Sequence, residues 1–276
     1  MKKLDHEEIQ AEAFKVLSFV KRICNENELT YYLMYGTLLG AVRHNGFIPW
    51  DDDVDIAMPR NDYERLKKIL LDSATKQNLK FHDRGENADY PYLIGRICSQ
   101  HTSIKRHDEH YDKMGVFVDV YPIDNISNVK IVAVAKGIFL GCLSSMFFAS
   151  TRTQQEPYCN GKMVRRLYML FSKSFGSKSI AALIEFIARS TKSELCTNYV
   201  GPATWMTLNA KRNVFDRKYF SSKDEVIFNG EIFTAPNNHK ELLAEYYGDY
   251  MTLPPVENRK PHHEYEAYIN DACKEM

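Results

Sequence analysis

The sequence predicts an α/β protein of the α+β kind, built on a mixed sheet. Helix-like and strand-like stretches alternate in its first part, in the order helix, strand, helix, strand, helix, and further strands follow. Residues 53–58 and 115–121 also alternate side chains with the period of two that is typical of a strand packed on one face.

The N-terminal segment predicts an amphipathic helix that ends near Asn27. Asp5 and Glu8 have the spacing of a capping box, and apolar residues follow at helical spacing. Residues 29–34 then predict a short strand. The small pair Gly36–Thr37 opens a second helix over LLGAVR.

An acidic strand at 53–58 follows the loop HNGFIPWDD. A helix capped by Asn61 and Glu64 comes next, and strands are predicted at 79–82, 92–98 and 115–121. In the last of these strands, Asp119 shares a face with Phe117 and Tyr121.

The middle of the chain has a different character. Residues 129–149 are almost all apolar, but Lys130 and Lys136 interrupt them, and the 13 residues from Gly137 to Ala149 are too few for a membrane span. A buried core helix and an interfacial helix both fit this segment. Basic residues interleave with apolar ones over 161–190, which leaves peripheral membrane contact and a solvated helical face as alternatives.

The remaining residues are mixed again. Asn229–Gly230 lies between two apolar runs and predicts a hairpin. NHKELLAEYYGD predicts a short helix closed by Gly248, and an irregular tail follows from LPPVENRKPHHEY. The expected organisation is a catalytic core over 1–125, a helical insert over 126–197, and a C-terminal part over 198–276 that completes the same domain.

Composition excludes some classes of function. Lys plus Arg and Asp plus Glu are 36 each, so no net positive field favours nucleic acid. The six cysteines are scattered without zinc-like spacing, which fits reduced thiols, and the N-terminus lacks an apolar signal region. We therefore expect a cytoplasmic protein without a nucleic-acid partner.

The acidic strand is the main candidate for chemistry. Asp53 and Asp55 point to one face, and two carboxylates about 4 Å apart repel by roughly 4 kcal/mol unless a cation lies between them. Oxygen ligands favour Mg²⁺ or Mn²⁺ over zinc. For Asp51 and Asp52 we expect a solvated loop, and the spacing excludes an EF-hand because its glycine position falls on Ile56.

Further residues extend this candidate site. Asp119 supplies a third strand carboxylate, unless it simply faces the surface. Gly36 permits close backbone approach, and Thr37 offers a hydroxyl at a helix N-terminus, where backbone N–H groups favour a phosphate.

At these residues the chain resembles the nucleotidyltransferase superfamily, whose pattern is a Gly-Ser turn, an hDhDh strand and a third acidic strand. More narrowly, YGTLLGAVRHNGFIPWDDDVDIAM is similar to the signature of the LicD family of phosphocholine transferases. Matching segments are FVDVYPID, EIFTAPNNHKELLAEYYGDYMTLPP and NRKPHH, and they bracket most of the chain. The resemblance implies a nucleotidyltransferase-like core with a helical insert and a C-terminal α/β extension.

The resemblance also implies an activity. The enzyme would take phosphocholine, or a related phospho-alcohol, from a CDP-alcohol and pass it to a hydroxyl of a surface glycan or its lipid-linked precursor, releasing CMP. A metal ion held by Asp53, Asp55 and Asp119 would neutralise the diphosphate, and Asp119 is also a candidate general base.

Several other residues are candidates for substrate contact. Arg43 and His44 lie just beyond the Gly-Thr helix, and Arg43 and Arg96 suit phosphate, although structural ion pairs explain both arginines equally well. Trp50 fits a base, a quaternary ammonium or simple packing. Three residues match the family's C-terminal motif and are candidate substrate contacts or exposed tail residues: Arg259, His262 and His263.

Three other functions stay open from the sequence. The first is a nucleotidyltransferase that attaches a nucleotide to a small acceptor. The second is a glycosyltransferase that uses Asp53-Val54-Asp55 as its DxD motif. The 52 residues before this motif leave little room for the nucleotide-binding α/β unit that usually precedes it. The third is a catalytically silent protein that binds lipid-linked glycan within an assembly.

Overall fold

The computed structural model describes residues 2–73, 78–106, 111, 113–151, 175–191, 197–261 and 265–270. Its chain divides into two compact units. Unit 1 contains residues 1–82, 95–120 and 219–276, and unit 2 contains residues 83–94 and 121–218. The division into 1–125, 126–197 and 198–276 stays a prediction.

Unit 1 is an α/β assembly, which confirms the predicted class. Its helices are α1 (His6–Glu26), α2 (Tyr35–His44), α3 (Arg60–Ser73) and α6 (His239–Tyr247). Its strands are β1 (Tyr32–Leu33), β2 (Asp55–Pro59), β3 (Leu79–His82), β4 (Gly95–Ser99), β5 (Thr102–Arg106), β9 (Lys223–Phe228), β10 (Glu231–Pro236) and β11 (Tyr265–Ile269). Strand β6 (Phe117–Ser127) begins in this unit, and the division falls within it.

The central sheet of unit 1 has the strand order β1-β2-β6-β4-β3. Its neighbours β1 and β2, β3 and β4, and β4 and β6 pair antiparallel. The β4–β6 register places Arg96 directly opposite Asp119. The sheet thus aligns two residues that the sequence singled out separately.

Helix α1 begins where the capping box predicts. The Asp5 side chain accepts a hydrogen bond from the Glu8 amide at 2.8 Å, and the Glu8 carboxylate accepts one from the Asp5 amide at 3.0 Å. The buried face of the helix consists of Ile9, Ala13, Val16, Leu17, Val20, Ile23 and Cys24. This helix therefore follows from its sequence alone.

The predicted hairpin is confirmed as β9 and β10. Asn229 and Gly230 occupy its turn with φ of 47° and 80°, the left-handed pair that a tight hairpin turn requires. The Asn229 amide donates to the Asn45 carbonyl at 2.9 Å, so the turn is held against the end of α2.

The segment LPPVENRKPHHEY, residues 253–265, was expected to be irregular, and this expectation was wrong for its last residue. Tyr265 begins β11, which pairs antiparallel with β5 over five residues, from Tyr265 opposite Arg106 to Ile269 opposite Thr102. This pairing brings Tyr265 to the acidic segment, because its hydroxyl donates to the Asp52 carbonyl at 2.8 Å.

Unit 2 contains the helices α4 (Lys130–Thr151) and α5 (Ser177–Arg189). Its strands β7 (Tyr199–Gly201) and β8 (Phe215–Asp216) pair with each other, and β7 also pairs with residues 124–127 of β6. The two helices share a core that includes Leu140, Phe147, Ile180 and Ile184. One face of α4 is therefore a buried core face, as one of the two interpretations predicted.

Candidate active site

A pocket of about 470 Å³ in unit 1 is lined by five of the predicted site residues: Gly36, Arg43, Trp50, Asp53 and Asp55. It lies where α2, the acidic segment and the chain after α6 meet. Its lining residues are Tyr35, Gly36, Leu39, Arg43, Ile48, Trp50, Asp51, Asp53, Asp55, Tyr247, Asp249, Tyr250, Thr252, Pro254 and Asn258. A larger cavity of about 770 Å³ beside α1 is lined by none of the predicted site residues that the structure describes.

The acidic segment enters this pocket before its strand begins. Asp51, Asp52 and Asp53 each offer a carboxylate oxygen, and these three oxygens lie within 4.8 Å of one another. Asp51 and Asp52 are each only 6% exposed, so the expectation of a solvated loop was wrong for both. Because like charges at this separation repel, the cluster has the composition of a site for a hard divalent cation.

The N-terminus of α2 borders the carboxylates. A Cβ added at Gly36 would lie 2.6 Å from Asp51 Oδ2, so only glycine permits this approach. The Thr37 hydroxyl accepts a hydrogen bond from the Asp55 amide at 2.8 Å. The small pair therefore fixes the acidic segment against the helix.

Tyr35, the first residue of α2, has a φ of 49°. This left-handed conformation is a genuine outlier for a bulky residue, and it usually persists only where the surroundings enforce it. Burial, with smaller effects from Tyr246 and Asp55, raises the pKa of Tyr35 well above its usual range. Its phenol is therefore neutral at every physiological pH.

Arg43, His44, Trp50 and Arg259 are brought together at one side of the site. The Arg43 Nη1 donates to the Tyr250 carbonyl at 2.8 Å, and the Arg259 guanidinium lies 5.5 Å from the centre of the Trp50 ring. The His44 and Trp50 rings meet edge to face at 6.3 Å. Burial and then the charge of Arg43 lower the pKa of His44, so its ring is neutral above pH 7. The matched residues His262 and His263 lie outside the described residues.

Asp119 and Arg96 lie in the core and are not among the residues that line the pocket. Both Asp119 oxygens accept from the Arg96 guanidinium, and the two residues are 3% and 2% exposed. The Asp119 amide donates to the Val54 carbonyl at 2.8 Å, so β6 runs beside the acidic segment. In the described part of the chain, the carboxylate cluster contains Asp53 but neither Asp55 nor Asp119.

Tyr265 connects these two groups of acidic residues. Burial, followed by the charges of Asp52 and Asp53, raises the pKa of Tyr265, and Asp119 adds to the same effect. Sequence analysis missed Tyr265 because the pairing of β11 with β5 has no local signal. It also missed Tyr247, Asp249 and Tyr250, although the matching segment EYYGDY contains all three.

Comparison with known proteins agrees with this site. Residues 28–135, which include α2 and the acidic segment, match the LicD/FKTN/FKRP nucleotidyltransferase domain. The fold and site thus define a phosphotransferase enzyme with a nucleotidyltransferase domain.

The relatives narrow the class to one family. The chain is 30% identical over 278 residues to the lipopolysaccharide cholinephosphotransferase LicD of Haemophilus influenzae, with 98% of this chain and 100% of that protein covered. Uncharacterized proteins of Rickettsia prowazekii and Rickettsia typhi are 40% and 39% identical over 57 residues, which cover 21% of this chain in each case and 21% and 18% of those proteins. The chain belongs to the LicD family.

Proposed function

We propose that this enzyme transfers phosphocholine from CDP-choline to a hydroxyl of lipopolysaccharide or of its lipid-linked precursor, and releases CMP. The observation that carries the proposal is the carboxylate pocket at the N-terminus of α2, in a chain that aligns from end to end with a lipopolysaccharide cholinephosphotransferase. A related phospho-alcohol donor would use the same pocket.

The donor set fits a divalent ion. Asp53 belongs to the carboxylate cluster, Asp55 lines the same pocket, and Asp119 lies on the strand beside them. Asp51 and Asp52 are additional ligand candidates, because they supply the other two oxygens of the cluster. Bound Mg²⁺ or Mn²⁺ would supply positive charge that neutralises the donor diphosphate.

The protein residues have distinct tasks in this reaction. The backbone amides of the first residues of α2 and the Arg43 guanidinium receive phosphate oxygens of the donor. The acceptor hydroxyl oxygen attacks the phosphorus that carries choline, the bond from that phosphorus to the CMP oxygen breaks, and CMP leaves with the electron pair. A carboxylate that lines the pocket, Asp53 or Asp55, accepts the hydroxyl proton, because the Arg96 guanidinium binds both oxygens of Asp119 in the core.

The decisive experiment incubates purified protein and Mg²⁺ with CDP-choline, CDP-ethanolamine, CDP-glycerol or CDP-ribitol and with lipopolysaccharide that lacks phosphocholine. CMP release together with mass gain of the glycan by one phospho-alcohol supports the proposal. Release of pyrophosphate from CTP, with a nucleotide attached to the acceptor, would instead identify the alternative nucleotidyltransferase. Inert donors throughout would reject both.

A matched pair of variants connects the activity to the pocket. Asp53→Asn should abolish turnover with an unchanged thermal midpoint, because it removes one charge from a partly exposed residue of the cluster. Asp216→Asn makes the same change at an exposed position of β8 and should retain full activity. Equal activity in the two variants would remove Asp53 from the mechanism.

The proposed location is the cytoplasmic side of a membrane, where a lipid-linked acceptor is accessible. Helix α4 is long and apolar enough to cross a membrane by length and composition alone, and 44% of its most apolar window is buried within the protein. Apolar side chains are also exposed on both helices of unit 2: Ile131, Val132, Ile138 and Phe139 on α4, and Leu183 and Phe186 on α5. Lys130 is exposed directly before Ile131, and Lys178 is exposed on α5 at 3.4 Å from Asp89, so peripheral binding to anionic lipid is the contact we propose.

Vesicle flotation tests this contact. The protein should float with phosphatidylglycerol vesicles and less with phosphatidylcholine vesicles, and Phe139→Ser with Phe186→Ser should abolish flotation. Ile227→Ser changes a residue of similar exposure, 54%, on the β9 hairpin strand and serves as the control. The lipid contact would be rejected if all these proteins float equally. It would also be rejected if the Phe variants lose self-association, because the exposed faces would then bind a second copy of the chain.

A further inference from the structure

Four of the residues that line the pocket are aromatic, and together they are called its aromatic wall. These residues are Tyr35, Trp50, Tyr247 and Tyr250. Tyr35, Tyr246 and Tyr247 form a connected series, with ring centres 5.5 Å and 4.6 Å apart. The pocket therefore combines π-faces and carboxylates within one volume of about 470 Å³.

The turn that closes α6 builds this wall. Gly248 has φ of 74° and ψ of −126°, a conformation that is nearly restricted to glycine. After this turn, Asp249 and Tyr250 line the same pocket as Tyr247 on the other side of the glycine. The Asp249 carboxylate accepts from the Thr252 hydroxyl at 2.6 Å, which orients it at the wall.

The charge around Tyr247 favours a cation. Its phenol lies close enough to Asp55, Asp51 and Asp53 that these carboxylates, after burial and Tyr246, raise its pKa. A neutral phenol ring near several carboxylates attracts positive charge by its quadrupole and by their field. Tyr247 is 41% exposed, so a ligand can reach it.

The chemistry of the wall selects one kind of cation. A trimethylammonium group has no N–H to donate, and it is desolvated most favourably against aromatic faces. A primary ammonium prefers hydrogen-bond acceptors and a metal ion prefers oxygen ligands, so the carboxylates of the pocket suit these better. The aromatic and the acidic residues of the pocket therefore prefer different cations.

We propose that Tyr247, with Tyr250 and Asp249, forms a subsite for the quaternary ammonium group of choline and sets the preference for choline over other alcohols. The subsite rests on the proposed function for its role in catalysis. Its ligand binding is independent of turnover. Trp50 completes the wall, with the Arg259 guanidinium near one side of its ring.

Binding of phosphocholine, measured by calorimetry, tests the subsite without the reaction. Tyr247→Leu should weaken binding about tenfold, which is within the range of cation–π contributions, and Tyr247→Phe should bind as the wild type does. Dimethylbutanol, the neutral carbon isostere of choline, should bind more weakly than choline to the wild type. Asp249→Asn should reduce that difference, because it removes charge and keeps shape.

Kinetics with CDP-choline and CDP-ethanolamine supply the second readout. Tyr247→Leu should raise KM for CDP-choline about tenfold and leave KM for CDP-ethanolamine nearly unchanged, whereas Tyr247→Phe should preserve the preference. Thermal melts of both variants exclude misfolding as the cause.

The possible failures are distinguishable. Phosphocholine binding that requires Tyr247, in a protein that turns over no CDP-alcohol, would reject the proposed function and retain the subsite. Turnover of CDP-choline with an unchanged preference in Tyr247→Leu would reject the subsite and retain the function. Equal binding of choline and dimethylbutanol would also overturn the subsite.

Discussion

Arg96 and Asp119 form a buried two-point ion pair across β4 and β6, with Nε 2.5 Å from Oδ1 and Nη2 3.0 Å from Oδ2. The guanidinium also lies 3.9 Å from the centre of the Phe117 ring. Arg96, a candidate for binding donor phosphate from the sequence alone, thus pairs with Asp119, the third acidic residue of the predicted site.

We expect Arg96→Met to lower the free energy of unfolding by about 3–5 kcal/mol, because it leaves the buried Asp119 charge uncompensated. The double variant Arg96→Met with Asp119→Leu should recover part of this loss, since it removes both charges. Urea denaturation measures both. If Arg96→Met lowers the free energy of unfolding by less than about 1 kcal/mol, the pair is less desolvated than the structure shows.

Thr37 should be important for its hydroxyl. Thr37→Val leaves the Asp55 amide without its acceptor in a buried position, which costs about 1–3 kcal/mol of unfolding free energy. Thr37→Ser retains the acceptor and should lose less, so thermal melts of the two variants separate the hydrogen bond from packing. A loss from Thr37→Val no larger than the loss from Thr37→Ser would contradict the importance of the hydroxyl.

Gly36→Ala should reduce activity more than stability. The new Cβ would lie 2.6 Å from Asp51 Oδ2, and the end of that side chain can move away at a cost of about 1–3 kcal/mol or less. The moved carboxylate no longer faces the pocket, so we expect turnover to fall at least about tenfold, which corresponds to 1.4 kcal/mol. CMP release and a urea titration on the same preparation compare the two effects, and a fully active variant would contradict the close approach.

The buried thiols should be inert in the folded protein. Burial raises the pKa of both Cys24 and Cys98 to about 12, so at pH 8 almost none of either thiol is thiolate. Iodoacetamide at pH 8 should therefore spare both until denaturant is added, and of the three cysteines that the structure describes it should label the half-buried Cys142 first. Peptide mass spectrometry reads out the order, and early labelling of Cys24 or Cys98 would contradict their burial.

Sequence reasoning succeeded where the determining interactions are local. The capping box at Asp5, the turn at Asn229–Gly230 and the glycine that closes α6 each act within a few residues, and the structure confirms all three. The α/β class and the family followed from the same kind of pattern, as did the pocket position of Gly36 and Asp53.

Other features depend on distant partners and left no local signal. Strand β11 forms only because β5 offers it an edge, and Asp51 and Asp52 are buried only because α2, Tyr265 and the chain after α6 surround them. From the sequence alone, a run of acidic residues predicts a solvated loop, because the elements that pack around it are not known. The Arg96–Asp119 pair likewise requires the register of β4 and β6, which neither strand specifies alone.

The carboxylates of the pocket come from residues 51–55, and two of its tyrosines come from residues 247–250. In the sequence, all residues of unit 2 lie between these two segments. During synthesis, the carboxylates therefore leave the ribosome long before the residues that would face them. A nascent or prematurely terminated chain can therefore carry the carboxylates of the pocket without its tyrosines. The lining is complete only after residues 247–250 have folded against the residues around α2.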